Sequence, residues 1–144
     1  MATMLYSKNG FDLTKQFESC KLTAYQDQGG VWTIGWGHTE GVHEGMTCTP
    51  VEADTWLHQD VGKAEVAVNA FVLVPLTQDE FDALVDFVFN LGSAKFRNST
   101  LLRLLNAGDY KGAAAEFDKW DHIGAKEVAG LLRRREAETS EFES

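Results

Sequence analysis

Phe17-Glu-Ser-Cys-Lys-Leu-Thr-Ala-Tyr-Gln-Asp-Gln-Gly-Gly-Val-Trp-Thr-Ile-Gly-Trp-Gly-His38 is the stretch that decides the fold. It leaves a run with apolar groups at Phe11, Leu13 and Phe17, which predicts a short helix over about Phe11 to Ser19 with Glu18 in its last turn. It then enters a segment of Tyr, Val, Trp, Thr and Ile interrupted by Gln28-Gly29-Gly30, which predicts a β-hairpin from about Ala24 to Thr39. Side chains alternate along a strand, so Val31, Thr33 and Gly35 share one face while Trp32, Ile34 and Trp36 share the other. Asp27, before the turn, and Thr33, after it, are thereby brought near each other. Gly35 and Gly37 mark a sharp bend or a close approach of another group.

Two carboxyl groups and a hydroxyl held by a helix end and a hairpin are the parts needed to split a glycosidic bond. One acid protonates the leaving oxygen and the other activates water. The helix end suits the first role, because unpaired carbonyls there and an apolar surround favour the neutral form of a carboxylic acid.

The rest of the chain reads as helical. Thr49-Pro50-Val51-Glu52 combines an N-cap, a proline at the first helical position and a glutamate three residues after the cap. Trp56, Leu57, Val61, Ala64, Val68 and Phe71 then keep helical spacing, so a long helix from about Pro50 to Phe71 joins two lobes. Thr77-Gln78-Asp79-Glu80 repeats the capping signature before Phe81, Leu84, Val85, Val88 and Leu91. Three further helical patterns follow: Leu101 to Leu105, Gly112 to Trp120 and Val128 to about Phe142. The expected architecture is α+β in a single domain. A small N-terminal lobe of about residues 1–49 carries the hairpin, the connecting helix spans about 50–72, and a helical lobe covers about 73–144.

Composition narrows the function. A net charge of −9 argues against a nucleic-acid binder, which needs clustered cations facing phosphates. The segment from Ser93 to Arg135 reverses that balance, with nine lysines and arginines against five acids, and could face an anionic polymer; a solvated set of helix faces is the plainer reading. Cys20 and Cys48 are too few for a disulfide framework and are expected to be free thiols. The four histidines show no ligand spacing with them, so neither zinc nor any other metal or cofactor is expected. No apolar run reaches the ~18 residues of a membrane span, and the first residues lack the order of a secretory signal.

Glu18, eight residues, Asp27, five residues, Thr33 resembles the active-site spacing of the phage lysozyme family, glycoside hydrolase family 24. Thr33-Ile-Gly-Trp-Gly-His38 resembles that family's T-x-G-x-G-H strand, Phe89-Asn-Leu-Gly92 its F-N-x-G helix end, and Gly130-Leu-Leu-Arg-Arg-Arg-Glu-Ala-Glu138 its G-L-x-x-R-R-x-x-E helix. The resemblance implies a lysozyme-like fold and a peptidoglycan hydrolase that cuts between N-acetylmuramic acid and N-acetylglucosamine with inversion. Glu18 would be the general acid, Asp27 would hold or deprotonate the water, and Thr33 would fix that water. Phe89, Asn90, Asn98 and Ser99 would line the far wall of the saccharide cleft, with core packing for the phenylalanine and helix capping for Asn98 and Ser99 as the competing readings. One of Arg133, Arg134 or Arg135 would approach Glu18, and His38 is expected to be structural, paired with an acid on the connecting helix. The implied partner is the peptidoglycan glycan strand, met by a monomer that waits in the host cytoplasm, has no membrane anchor and needs a holin-type pore to reach the cell wall. The competing functions are a lytic transglycosylase, a chitinase-type enzyme of the wider superfamily, and a non-enzymatic wall-binding module.

Overall fold

The protein, described here over residues 3–144 of a computed structural model, is built around α3 (Gln78–Leu91), against which α1 (Lys8–Phe17), α2 (Pro50–Phe71) and α7 (Ala129–Phe142) all pack. Every residue of α3 from Phe81 to Val88 is buried, as expected of a helix that is apolar on nearly all sides. Phe81, Phe87, Phe96 and Phe117 are fully enclosed, and the Phe87 ring meets Phe117 edge-on at 5.5 Å.

Both capping boxes read from the sequence close. Thr49 accepts from the Glu52 amide at 3.1 Å while Glu52 accepts from the Thr49 amide at 2.9 Å, and Thr77 with Glu80 repeats the arrangement at α3. Thr49→Ala should therefore cost about 1 kcal/mol of stability, measured by urea unfolding, with the fold retained. From that start α2 runs 22 residues and buries Ala53, Leu57, Val61, Ala64, Ala67 and Val68, a stripe at helical spacing.

The hairpin consists of β1 (Lys21–Gln26) and β2 (Trp32–Gly35), antiparallel, with Tyr25 opposite Thr33 and Gln26 opposite Trp32. An irregularity between Lys21 and Tyr25 shifts the register. The strand is extended on its other edge by Thr47, bridged to Thr23, with Cys48 donating to the Leu22 carbonyl. Ile34 is fully buried, and β2 packs on α2. Gly35, at φ +62°, permits that contact: a Cβ there would lie 3.1 Å from the Ala53 methyl.

Several boundaries differ from those read in the sequence. α1 begins earlier and stops at Phe17, so Glu18 is the C-cap residue, with extended backbone, rather than a member of the last turn. A five-residue α4 (Ser93–Arg97) precedes α5 (Thr100–Asn106). The single helix expected from Gly112 to Trp120 is a short α6 (Tyr110–Ala114) followed by a 3-10 turn at Phe117–Lys119. Between that turn and α7 lies a second small hairpin, β3 (His122–Ile123) and β4 (Lys126–Glu127). Cys20 and Cys48 are free and half-buried. Among the described residues no helix is long and apolar enough to cross a membrane.

Candidate active site

Glu18 and Asp27 line one cleft of about 970 Å³. Its walls are the end of α1, the tip of the β1–β2 hairpin at Gln28 and Gly29, the end of α3 at Asn90 and Leu91, the small hairpin at His122 to Gly124, and one face of α7.

Glu18 sits where α1 ends, its amide donating to the Thr14 carbonyl at 3.0 Å. Its side chain is 17% exposed and accepts from Arg134 Nη1 at 2.6 Å. The remaining donors of Arg134 go to a buried acid, Nε and Nη2 reaching both oxygens of Asp86 at 2.9 and 2.8 Å. Such a two-pronged grip fixes the guanidinium in the plane of Asp86 and so fixes where Glu18 is held. Asp86 also accepts from Thr14 at 2.7 Å, and Thr14 bonds to Tyr6 at 2.7 Å, which locks α1 onto α3. Burial alone would push the Asp86 carboxyl up, but the charge and hydrogen bonds of Arg134, with the hydrogen bond from Thr14, hold it well below the usual carboxylate range.

Gly37 backs the other side of Glu18. It lies at φ +78°, and a Cβ there would fall 2.6 Å from Glu18 Oε1, closer than nonbonded atoms approach. Gly37→Ala should therefore displace the carboxyl and add backbone strain, lowering activity about 100-fold through misplacement while a folded protein persists. Circular dichroism paired with a turnover assay checks this; unchanged turnover would show that the acid tolerates movement.

Asp27 closes the hairpin turn. Its Oδ1 accepts from the Gly29 and Val31 amides, both at 2.9 Å, leaving Oδ2 without a protein partner among the described residues. Thr33 is 4% exposed, and its hydroxyl donates to the Val31 carbonyl at 2.9 Å, so its lone pairs remain for another donor. Tyr25, opposite Thr33, lies within the influence of both carboxyls: burial first, then Glu18 and Asp27, push its hydroxyl above its ordinary value. Tyr25 was not singled out in the sequence, although it lies two residues before Asp27 on the same arm of the hairpin.

The far-wall residues divide. Asn90 lines the main cleft, while Phe89 lines an adjoining recess of about 290 Å³ with Gly37 and Thr39. Asn98 donates to the Ala94 carbonyl at 3.0 Å, and Ser99 caps α5 by accepting from the Leu102 amide at 3.1 Å. Neither lines these two hollows. His38 pairs with Asp60 on α2 at 2.7 Å and stacks on Trp56 at 4.8 Å, a structural arrangement.

A helix-end acid and a hairpin acid facing one cleft, with an arginine clamping the first, is the layout of a glycoside hydrolase. Residues 15–138 match the phage lysozyme family, and the chain belongs to that family. It is 42% identical to the endolysin of Acyrthosiphon pisum secondary endosymbiont phage 1, covering 98% of this chain and 99% of that one. Among solved structures it resembles the muramidase domain of SpmX from Asticaccaulis excentricus, with a TM-score of 0.88 and 40% identity over 97% of this chain and 98% of that one. A P22 lysozyme mutant gives a TM-score of 0.82 and 38% identity over 98% and 99% of the two chains. The fold is the α+β lysozyme fold expected from the hairpin, the long helix and the helical remainder.

Proposed function

We propose that the protein is a muramidase that hydrolyses the β-1,4 bond between N-acetylmuramic acid and N-acetylglucosamine in peptidoglycan, acting on the bacterial wall as an endolysin. The observation that carries this reading is the opening of Glu18 and Asp27 into one cleft, one acid clamped by Arg134 and the other by two backbone amides.

Glu18 in its neutral form gives its proton to the glycosidic oxygen as the C–O bond breaks, so that the sugar departs as an alcohol. Asp27 Oδ2 accepts one hydrogen of a water molecule and Thr33 Oγ1 accepts the other, which aims the water's lone pair at the anomeric carbon. Attack from the face opposite the leaving group transfers the water proton to Asp27 and inverts the centre. Asn90 and Phe89 would contact the sugars from the far wall. Asn98 and Ser99, turned to capping, are left with a supporting part in that wall. The hairpin and the helical remainder act as one catalytic domain of two lobes joined by α2. A monomer released from the host cytoplasm through a pore accounts for access to the wall.

Digestion of purified sacculi, with mass analysis of the products and proton NMR during the first minutes, tests bond and stereochemistry together. Reducing-end muramic acid released first as the α-anomer is expected. Anhydro-muropeptides, or products ending in reducing N-acetylglucosamine, would overturn the assignment.

A further inference from the structure

Glu18 and Asp27 reach the main cleft from the end of α1 and the tip of the first hairpin, while α4, β3 and α7 bring Lys95, His122, Arg133, Arg134 and Glu136 to the same cleft. Arg134 is committed to Glu18 and Asp86. His122 Nδ1 lies 2.5 Å from Asp121 Oδ1, so a charge on that ring is already matched. Lys95 and Arg133 differ from these. Both are exposed, and among the described residues neither forms an ion pair, although Glu136 stands three residues along α7 from Arg133. The Arg133 guanidinium lies over Gly130, with Nη2 3.7 Å from the place a Cβ there would take, and Gly130 is itself part of the cleft lining. A chain of net charge −9 thus keeps two unmatched cations in its catalytic cleft.

The sugars do not account for them. Both N-acetylated rings of the glycan are neutral, and the lactyl group of muramic acid is tied up in its amide to the stem peptide. The negative charges of the polymer sit on that peptide, at its side-chain and terminal carboxylates. We propose that Lys95 and Arg133 are specificity-determining residues that receive stem-peptide carboxylates, which orients the peptide-bearing muramic acid relative to the two acids. The proposal rests on the muramidase reading above.

The two cations suit the task in different ways. A guanidinium presents a planar fork that can hold a carboxylate by two bonds, whereas an ammonium acts as a mobile point charge. Ile123, 40% exposed, with Val128 and Leu131 in the same lining, offers apolar surface to the alanine methyls of the peptide. Glu136 works against the cations, because its carboxylate faces the same cleft, as do those of Glu18 and Asp27. Exposed pairs of this kind contribute little each, so the effect belongs to selectivity among substrates more than to rate.

The test compares two peptidoglycan oligomers of matched length, one with free stem-peptide carboxylates and one with those carboxylates converted to amides. Both keep the lactyl amide, so only the peptide charges differ. Wild type should process the carboxylate form with a kcat/KM about tenfold higher, the difference lying in KM, and that preference should shrink at high salt. Lys95→Gln combined with Arg133→Gln should bring the ratio to about one, and Glu136→Gln should raise it. Arg103→Gln combined with Lys111→Gln removes the same charge from exposed positions outside the cleft and should keep the wild-type ratio. Equal rates on both oligomers in wild type, a preference that survives loss of Lys95 and Arg133, or one lost in the distant control would each overturn the proposal. Backbone amide shifts of the unaltered protein, titrated with the stem peptide alone, give a readout free of turnover. Signals around Lys95 and Arg133 should move with the carboxylate peptide and much less with its amide. Wild type inactive on both oligomers with those shifts intact would fault the muramidase reading and leave the peptide contact standing; turnover without any shift at these positions would do the reverse.

Discussion

Glu18→Gln should lower turnover of peptidoglycan by roughly 10²- to 10⁴-fold while leaving the circular dichroism spectrum unchanged. An amide at this position can still accept from Arg134 Nη1 but has no proton acidic enough for the leaving oxygen. Arg134 keeps its two bonds to Asp86, so stability should shift by no more than about 2 kcal/mol. The experiment also separates the competing functions. A wall-binding module without enzymatic action would clear cells equally with either residue, and equal lysis would end the catalytic assignment.

Arg134→Met should be the most destabilising single change in the site. It strips both guanidinium donors from Asp86, which is fully enclosed on α3, and leaves a carboxylate with no cation in contact and the Thr14 hydroxyl still donating to it. Breaking a buried pair from one side costs about 3 to 5 kcal/mol, which for a chain of this size lowers the unfolding temperature by roughly 10 °C. Asp86→Asn combined with Arg134→Met removes the orphaned charge and should recover much of that loss, a comparison that separates electrostatics from packing. A loss below about 1 kcal/mol in the single variant would show that the clamp contributes little.

The pH dependence has a definite sign for each group. Asp86 is depressed in the folded protein, so its contribution is present above the ordinary carboxylate value of 3.8 and drains away as pH falls through the folded value. The gap between wild type and Arg134→Met should therefore narrow in acid. Glu138 is raised from 4.5, so it favours folding most below that value and loses that contribution as pH rises toward the folded value. Glu138→Gln, which does not titrate, should gain on wild type as pH increases, read from urea midpoints across the range.

How much of this was legible depends on which physical rule governed each element. The hairpin and the two capping boxes follow from local chemistry, glycine at the turn and a threonine with a glutamate three residues on, and they appear where expected. α4 has only five residues and opens on Gly92 without a side-chain cap, and β3 and β4 have two residues each, too short for any periodicity to register. The choice among Arg133, Arg134 and Arg135 was illegible because the face that α7 buries is Arg134, Arg135, Glu138 and Phe142, three charged groups and one apolar one. A search for an apolar stripe passes over such a face. The same fact revises the cationic segment: two of its nine cations are internal and do not present a basic surface. Asp86 had a signal that went unused, a carboxyl in the middle of an otherwise apolar helix, which must find a cation somewhere in the fold.

The clamp on Glu18 joins residues 116 positions apart along the chain. A ribosome makes the carboxyl well before its guanidinium partner, and tertiary structure follows synthesis in that order. Nascent or truncated polypeptides lacking α7 are thus missing the clamp and one wall of the groove, which delays any bond-cleaving competence until α7 has been made.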